Sequence, residues 1–293
     1  MERNGKKQVK KAAIAIILAC FSLYYLLPLI GTVLYASSTK WSKSLLPDDF
    51  TFKWFQQLFN DPTFLAAVGR SFLLSVLVLL TILGIMVPSI IWINLFLPRV
   101  SQIMEKLVLL PYAIPGVILV TALLRTYSKT SIPMFFVLIG ALFISALPIV
   151  FLGITNQMRL INMKELLEAA STLGAPTPMI ILRVLFPTIR TGTILVSLMI
   201  FSSVFGEYLL TNLLIGGRFE TVRIYMLRRM NENGHLSSAV IVLYFLFILI
   251  IALLTFVMTN RQKKQVVPIK QRYNRQSRTL EKGVVVDNVL EHS

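Results

Sequence analysis

No charged residue interrupts the stretch FLLSVLVLLTILGIMVPSIIWINLFL, Phe72–Leu97. A helix needs about 20 predominantly apolar residues to cross the hydrocarbon core of a bilayer, and this stretch is longer than that. It is therefore predicted to be a transmembrane helix. Five further apolar runs occur along the chain: Ala12–Ala36, Leu107–Leu124, Ile132–Ile154, Thr193–Ile215 and Leu236–Thr259.

The composition agrees with this interpretation. Of the 293 residues, 56% are hydrophobic and only 14% are charged, whereas an ordinary soluble domain carries about 25% charged residues. The first run is longer than the core of a signal peptide, which has about 7–15 apolar residues, and we expect it to be retained as an anchor. The sequence predicts an all-α polytopic membrane protein with six transmembrane helices.

The distribution of Lys and Arg predicts which ends of the chain face the cytoplasm. The tails of residues 1–11 and 261–293 are both strongly basic, and six crossings put them on the same side. Both termini are therefore expected in the cytoplasm, the second tail without ordered structure. Residues 12–260 then form the membrane domain, with a cytoplasmic loop over residues 156–192. One segment argues against this topology, because it would place four arginines on the extracytoplasmic side: Arg218, Arg223, Arg228 and Arg229.

The formal net charge of +16 would suggest nucleic-acid binding in a soluble protein. Here the basic residues lie mainly in the tails and between apolar runs, which favours topology signals and contacts with membrane lipid. We expect no nucleic-acid partner. Cys20 is alone and His235 and His292 are far apart in the sequence, so neither a metal site nor a catalytic site is predicted.

The loop of residues 156–192 contains a predicted helix–turn–helix. Met163–Ala170 consists of good helix formers, and the apolar residues from Leu166 to Leu173 (Leu166, Leu167, Ala170 and Leu173) fall at helical spacing. Gly174 is a natural left-handed stop, and Pro176 and Pro178 prevent continuation. A second short helix is predicted over Met179–Leu185. These residues alone leave two possibilities open, a helix lying on the lipid surface or a docking surface for another protein.

The spacing of Glu168-Ala169-Ala170, Gly174, Val184 and Phe186-Pro187 resembles the signature of permease subunits of binding-protein-dependent ABC importers. Three other stretches resemble the same family: Leu46–Phe59, Leu107–Leu119 and Arg183–Gly192. Among its branches, the chain is most similar to the permeases for polyamines, ferric iron and aminoethylphosphonate. The carbohydrate branch is a less good match.

This resemblance implies six transmembrane helices with a cytoplasmic coupling helix between the fourth and the fifth. In the family, that helix docks on a separate cytoplasmic ATPase, present in two copies. Two permease subunits, identical or homologous, line the pathway in the bacterial cell membrane, and an extracytoplasmic binding protein delivers the solute. The chain has no G-x-x-x-x-G-K-[ST] loop, so ATP and Mg²⁺ would be bound by the partner ATPase and no cofactor is expected on this chain.

The same resemblance implies roles for five residues. Glu168 would make polar contacts with the ATPase or stabilise its own helix. Ala169 and Ala170 would allow close approach, Gly174 would make the turn, and Pro187 would end the element.

Polar side chains in the fifth run are candidates for the solute pathway. Glu207 stands out because a carboxylate in a membrane segment is costly to desolvate; it would lie about 21 Å into the span. It would either sit near the outer interface, pair with an Arg, or favour a cationic solute. The candidates are Ser202, Ser203, Glu207, Tyr208, Thr211 and Asn212.

Four prolines, Pro88, Pro111, Pro115 and Pro148, are expected to interrupt the second, third and fourth spans. Two rival functions match less well. An intramembrane enzyme would need paired catalytic groups in the spans, and a channel or secondary transporter often shows duplicated halves or several charged midplane residues. Neither pattern appears in the sequence. The expected solutes are a polyamine, ferric iron or an organophosphonate, and a sugar stays possible.

Overall fold

The computed structural model describes residues 2–41, 47 and 49–260, with the backbone alone for residues 2–12. Within these ranges the chain is helical apart from turns and an isolated antiparallel bridge between Ser38 and Phe50. The prediction of an all-α polytopic membrane protein is confirmed. The predicted tail of residues 261–293 lies outside the described residues, as does the start of the stretch Leu46–Phe59.

Five helical stretches of the described chain are long and apolar enough to cross a membrane, and a bent pair of helices makes a sixth if it counts as one span. The helices are α1 (Glu2–Ala36), α2 (Lys53–Asn60), α3 (Pro62–Thr81), α4 (Val87–Phe96), α5 (Pro98–Leu107), α6 (Leu110–Ala113), α7 (Gly116–Tyr127), α8 (Met134–Leu160), α9 (Met163–Thr172), α10 (Thr177–Ile180), α11 (Phe186–Phe205), α12 (Leu209–Leu214), α13 (Val222–Met230) and α14 (Gly234–Asn260).

The third predicted run, Leu107–Leu124, is not one straight helix. The pair Pro98–Ala113 and Gly116–Tyr127 is bent by 87°. Pro115 causes the break, because it has no N–H to donate and forces the residue before it into extended backbone. The interruption predicted at Pro115 is confirmed.

Two prolines follow π-helical segments. The π segment Ile82–Met86 precedes Pro88, and the π segment Ile181–Leu185 precedes Pro187, each with one residue between. A proline ring crowds the carbonyl one turn earlier and cannot bond to it, and a wider π turn relieves this conflict. Pro148 lies inside α8 without a break, so the interruption predicted there is wrong.

The fifth predicted run, Thr193–Ile215, is wrong at both ends. The helical stretch begins at Thr177 and ends at Phe205, and a non-helical break at residues 206–208 separates it from α12. Glu207 therefore lies in this break and not within a straight span.

The chain forms two compact units. The first comprises Met1–Leu77, Pro115–Leu142 and Val204–Ile248, and the second Val78–Ile114, Phe143–Ser203 and Leu249–Ser293 so far as it is described. Each has a buried core of aliphatic and aromatic side chains, while many large apolar side chains of the long helices are exposed. An exposed apolar surface is what helices solvated by lipid require.

Candidate functional site

The α9–α10 segment, residues 161–180, follows α8 and leads into the helical stretch that contains α11. α8 ends at Leu160, and Asn162 then adopts left-handed backbone with φ 47° and ψ 54°. Asn tolerates this conformation better than most residues because its short polar side chain bonds locally. The predicted helix beginning at Met163 is confirmed as α9.

One side of α9 packs inside the second unit, to which α9 itself belongs. Met163 is buried, and Leu166, Leu167 and Ala170 are half-buried. The predicted apolar face therefore holds for these residues. It is wrong for Leu173, which follows the last helical residue and is 87% exposed.

Gly174 makes the turn after α9. Its φ of +78° lies in the left-handed region that favours glycine. The N–H of Gly174 donates to the carbonyl of Ser171 at 3.0 Å, and the N–H of Ala175 donates to that of Ala170 at 3.4 Å. These bonds satisfy carbonyls that the helix end leaves free, and the predicted stop at Gly174 is confirmed.

The predicted second helix, Met179–Leu185, and its end at Pro187 are wrong. α10 begins after Pro176, which has extended backbone with ψ 141°, and passes through the π segment into α11 as one helical stretch. Pro178 lies in the first turn of α10, where its missing N–H costs nothing. The predicted element is therefore the beginning of a membrane helix.

The α9–α10 segment and the turns that follow it are accessible. Glu168 and Ala169 are exposed on α9, and Leu173 is exposed at the turn. Leu182 and Phe186 are also exposed. Apolar side chains exposed in this way indicate a surface that contacts another protein or lipid.

A cavity of about 450 Å³ lies beside the start of α9, within the second unit. Asn94 is in its wall and donates through Nδ2 to Thr155 Oγ1 at 3.0 Å, while Ser101 Oγ donates to Asn94 Oδ1 at 3.0 Å. An ion pair joins Arg159 to Glu105. These bonds connect α4, α5 and α8. Sequence reasoning missed Asn94, although a lone amide in an apolar run was a signal.

Glu207 caps α12. Its Oε1 accepts a hydrogen bond from the N–H of Leu210 at 2.6 Å, and its Oε2 accepts from the N–H of Thr211 at 2.9 Å and from Thr211 Oγ1. A carboxylate at a helix N-terminus satisfies free N–H groups and complements the helix dipole. The expected pairing with an arginine is not found among the described contacts.

The other pathway candidates have different surroundings. Asn212 Nδ2 donates to the Tyr208 hydroxyl at 3.1 Å, and Thr211 is buried. These three residues lie with Glu207 in the first unit, while Ser202 and Ser203 belong to α11 and the second unit. Ser203 is exposed and Ser202 half-buried.

Gly206, in the same break, lies against Tyr244. A Cβ on Gly206 would lie 1.9 Å from the Tyr244 hydroxyl oxygen, so a larger residue would force the Tyr244 side chain to move. The Tyr244 ring stacks with Phe205 at 6.3 Å, and the Arg223 guanidinium lies 5.9 Å from its centre. Sequence reasoning missed Tyr244, since nothing local marks it.

Two of the four arginines that opposed the predicted topology, Arg228 and Arg229, have acidic neighbours. Arg228 Nη1 lies 3.1 Å from Glu220 Oε1, and Arg229 contacts both Glu232 and Asp61, the latter at 3.6 Å. Local carboxylates therefore balance much of the positive charge on this part of the chain.

Asp61 and Tyr225 form the centre of this network. Burial by itself raises the pKa of Asp61, but hydrogen bonds from Thr63 and Tyr225 and the charge of Arg229 outweigh it, so the pKa lies below its ordinary value. Burial and the bond to Asp61 raise the pKa of Tyr225 to about 12. At neutral pH the carboxylate is ionised and the phenol is its donor.

No protein-family profile matches the chain, and no curated protein sequence is significantly similar to it. Its fold is similar to a chain of a bacterial ABC transporter involved in the import of the acidic polysaccharide alginate, with a TM-score of 0.62 and 18% identity over 87% of this chain and 98% of that chain. A chain of a bacterial alginate ABC transporter in complex with an alginate pentasaccharide-bound periplasmic protein gives a TM-score of 0.62 and 17% identity, covering 87% and 96%. At such identities the likeness establishes the fold.

Proposed function

We propose that this chain is a permease subunit of a binding-protein-dependent ABC importer in a bacterial cell membrane. The observation that carries the proposal is the accessible α9–α10 segment, in which Glu168-Ala169-Ala170 is followed by Gly174 in a left-handed turn. ATP and Mg²⁺ would be bound by two copies of a separate cytoplasmic ATPase. The permease chain itself would carry no cofactor and catalyse no reaction.

Three exposed residues of the segment suit such a contact. The small exposed side chain of Ala169 lets a partner approach the backbone, and Leu173 offers an apolar group for a cleft. Glu168 is exposed for polar contacts. Because Met163 is buried on the other side of α9, a force applied to the helix would pass into the rest of the second unit.

The proposed assembly contains a second permease subunit, identical or homologous, and an extracytoplasmic binding protein. Both termini of this chain would be cytoplasmic. Three observations support this arrangement: the apolar surface of the long helices, which suits lipid, the carboxylates beside the arginines, and a similar fold in a structure that includes a periplasmic protein.

A carbohydrate is the better supported solute class, ahead of the polyamine, ferric iron and aminoethylphosphonate branch, which is not confirmed. The similar structures come from transporters of a polysaccharide. The Glu207 carboxylate, which would have favoured a cation, is hydrogen-bonded to α12. The hydroxyl and amide groups of Tyr208 and Asn212 suit a hydroxyl-bearing solute, and Ser202 and Ser203 stay pathway candidates.

The test is to purify the tagged chain in mild detergent from membranes of its native host. Mass spectrometry should find a co-purifying ATPase of different sequence, and the complex should hydrolyse ATP. Leu173→Asp should abolish co-purification without unfolding the chain, because Leu173 is 87% exposed. Leu160→Asp is the matched control, since Leu160 is 80% exposed and precedes the segment.

Failure to recover an ATPase with the unaltered chain would favour a channel or secondary transporter instead. Equal recovery with Leu173→Asp and Leu160→Asp would leave the ABC assignment standing but remove the α9–α10 segment from the contact.

A further inference from the structure

Two glycines bring α8 and α11 into close contact within the second unit. A Cβ on Gly192 of α11 would lie 2.5 Å from Cγ and 2.6 Å from Cδ of Gln157 on α8. A Cβ on Gly153 of α8 would lie 2.6 Å from Cγ2 of Val196 on α11. Real Cβ atoms do not approach other carbons so closely, so each side chain occupies space that its facing glycine leaves free.

The two contacts form one reciprocal pattern. Gly153 and Gln157 are one helical turn apart on α8, and Gly192 and Val196 are one turn apart on α11, so all four lie along facing stripes. Moving along α8 from Gly153 to Gln157 corresponds to moving back along α11 from Val196 to Gly192, and the helices are therefore antiparallel here. Each helix gives one side chain and one glycine. We call these four residues the glycine interlock.

The position of the glycine interlock relates it to the α9–α10 segment. Gln157 is in the last turn of α8, just ahead of this segment, and Gly192 is in the early part of α11, which follows it. The segment is thus a loop whose two ends are held together at its base. Ile154, which follows Gly153 on α8, and Ile189, which lies about one turn before Gly192 on α11, are both fully buried.

We propose that Gly153 and Gly192 are positioning residues that make α8 and α11 move together when the α9–α10 segment is displaced. This inference rests on the proposed function, in which an ATPase displaces the segment. Antiparallel helices that interlock at small residues resist sliding, because sliding would drive Gln157 and Val196 into backbone. Without the interlock, the segment could move with its partner while the membrane part of α11 stays behind.

The test uses the complete complex purified through a tag on this chain, and needs no solute. Amide hydrogen exchange is measured in the nucleotide-free state and in the state trapped with ADP and vanadate. In the unaltered complex the nucleotide should change exchange both in the α9–α10 segment and in residues 193–203 of α11. In Gly192→Ala and Gly153→Ala the first change should persist, while the second should fall by roughly 2- to 30-fold.

Complementary variants separate positioning from simple loss of packing. Gln157→Ala opens a gap where Gly192→Ala makes a clash, so each alone should weaken the response of residues 193–203. The double variant Gln157→Ala/Gly192→Ala should restore most of the response of residues 193–203, because the added methyl group fills the gap. Gly140→Ala is the control on α8, because nothing lies within 4 Å of a Cβ there, and it should respond like the unaltered chain.

Full nucleotide response of residues 193–203 in Gly192→Ala, Gly153→Ala and Gln157→Ala would overturn the inference. So would a loss that the double variant fails to restore. If Gly153→Ala or Gly192→Ala prevents folding, the response of residues 193–203 in Gln157→Ala still tests the inference, because that substitution removes side-chain volume and adds none. The absence of any ATPase or nucleotide response in the unaltered complex would count against the proposed function instead.

Discussion

The Tyr225 hydroxyl donates a 2.6 Å hydrogen bond to Asp61 Oδ2, although 164 positions separate the two residues in sequence. Asp61 also caps the start of α3 by accepting from the N–H and the hydroxyl of Thr63. One carboxylate therefore caps the start of α3 and also holds α13 against it. Tyr225 is 1% exposed, and the centre of its ring lies 5.4 Å from the centre of the Phe64 ring.

Tyr225→Phe should lower the thermal stability of the purified protein. The substitution keeps the ring packing and removes only the donor, which leaves a partly buried carboxylate with one bond fewer, at a cost of about 1–2 kcal/mol. The measurement is the unfolding midpoint in detergent. Tyr112→Phe serves as control, since Tyr112 is 58% exposed, and equal midpoints for the two variants would contradict the expectation.

Acid should weaken the same contact. Because the pKa of Asp61 in the fold lies below its ordinary value of about 3.9, the carboxylate stabilises the fold above that pH, and this contribution is lost as pH falls through the lowered pKa. The thermal unfolding midpoint should therefore decrease once the pH falls below about 4. Asp61→Asn should show a lower midpoint at neutral pH and a smaller acid-induced drop; an identical acid profile would argue against this role.

Glu207→Gln should destabilise α12, because one carboxylate oxygen becomes an NH₂ group that faces N–H and O–H donors. We expect a loss of about 0.5–2 kcal/mol, the range for loss of a helix cap. Thr211→Val removes only the hydroxyl bond and should have a smaller effect. Unfolding midpoints of both variants test this, and an unchanged midpoint for Glu207→Gln with weaker uptake of a cation would restore Glu207 as a pathway carboxylate.

Local signals in the sequence predicted much of the candidate site. The helix formers from Met163 onward and the stop at Gly174 depend on backbone preferences within a few residues, and both were correctly predicted. Leu173 and Pro187 were interpreted wrongly. Helical spacing does not reveal that α9 ends one residue before Leu173, and a proline that normally stops a helix is accommodated when a π turn precedes it.

The contacts that join distant parts of the chain could not be predicted in the same way. Three such features depend on which helices become neighbours: the contact of Tyr244 with Gly206, the bond from Asn94 of α4 to Thr155 of α8, and the glycine interlock. A single sequence carries hydropathy and spacing, and neither specifies which apolar face meets which. The same gap explains why Glu207 was assigned to a continuous span, about 21 Å along it, although the helix breaks there.

The sequence by itself determined the all-α membrane class, most of the apolar crossings and the helix–turn element that ends at Gly174, because hydropathy, helix propensity and glycine's backbone freedom act locally. Tertiary structure alone decided the break at Glu207 and the pairing of Asp61 with Tyr225. These features arise where packing between distant segments competes with local preference, and the competition is settled by which side chains fit and which polar groups find partners.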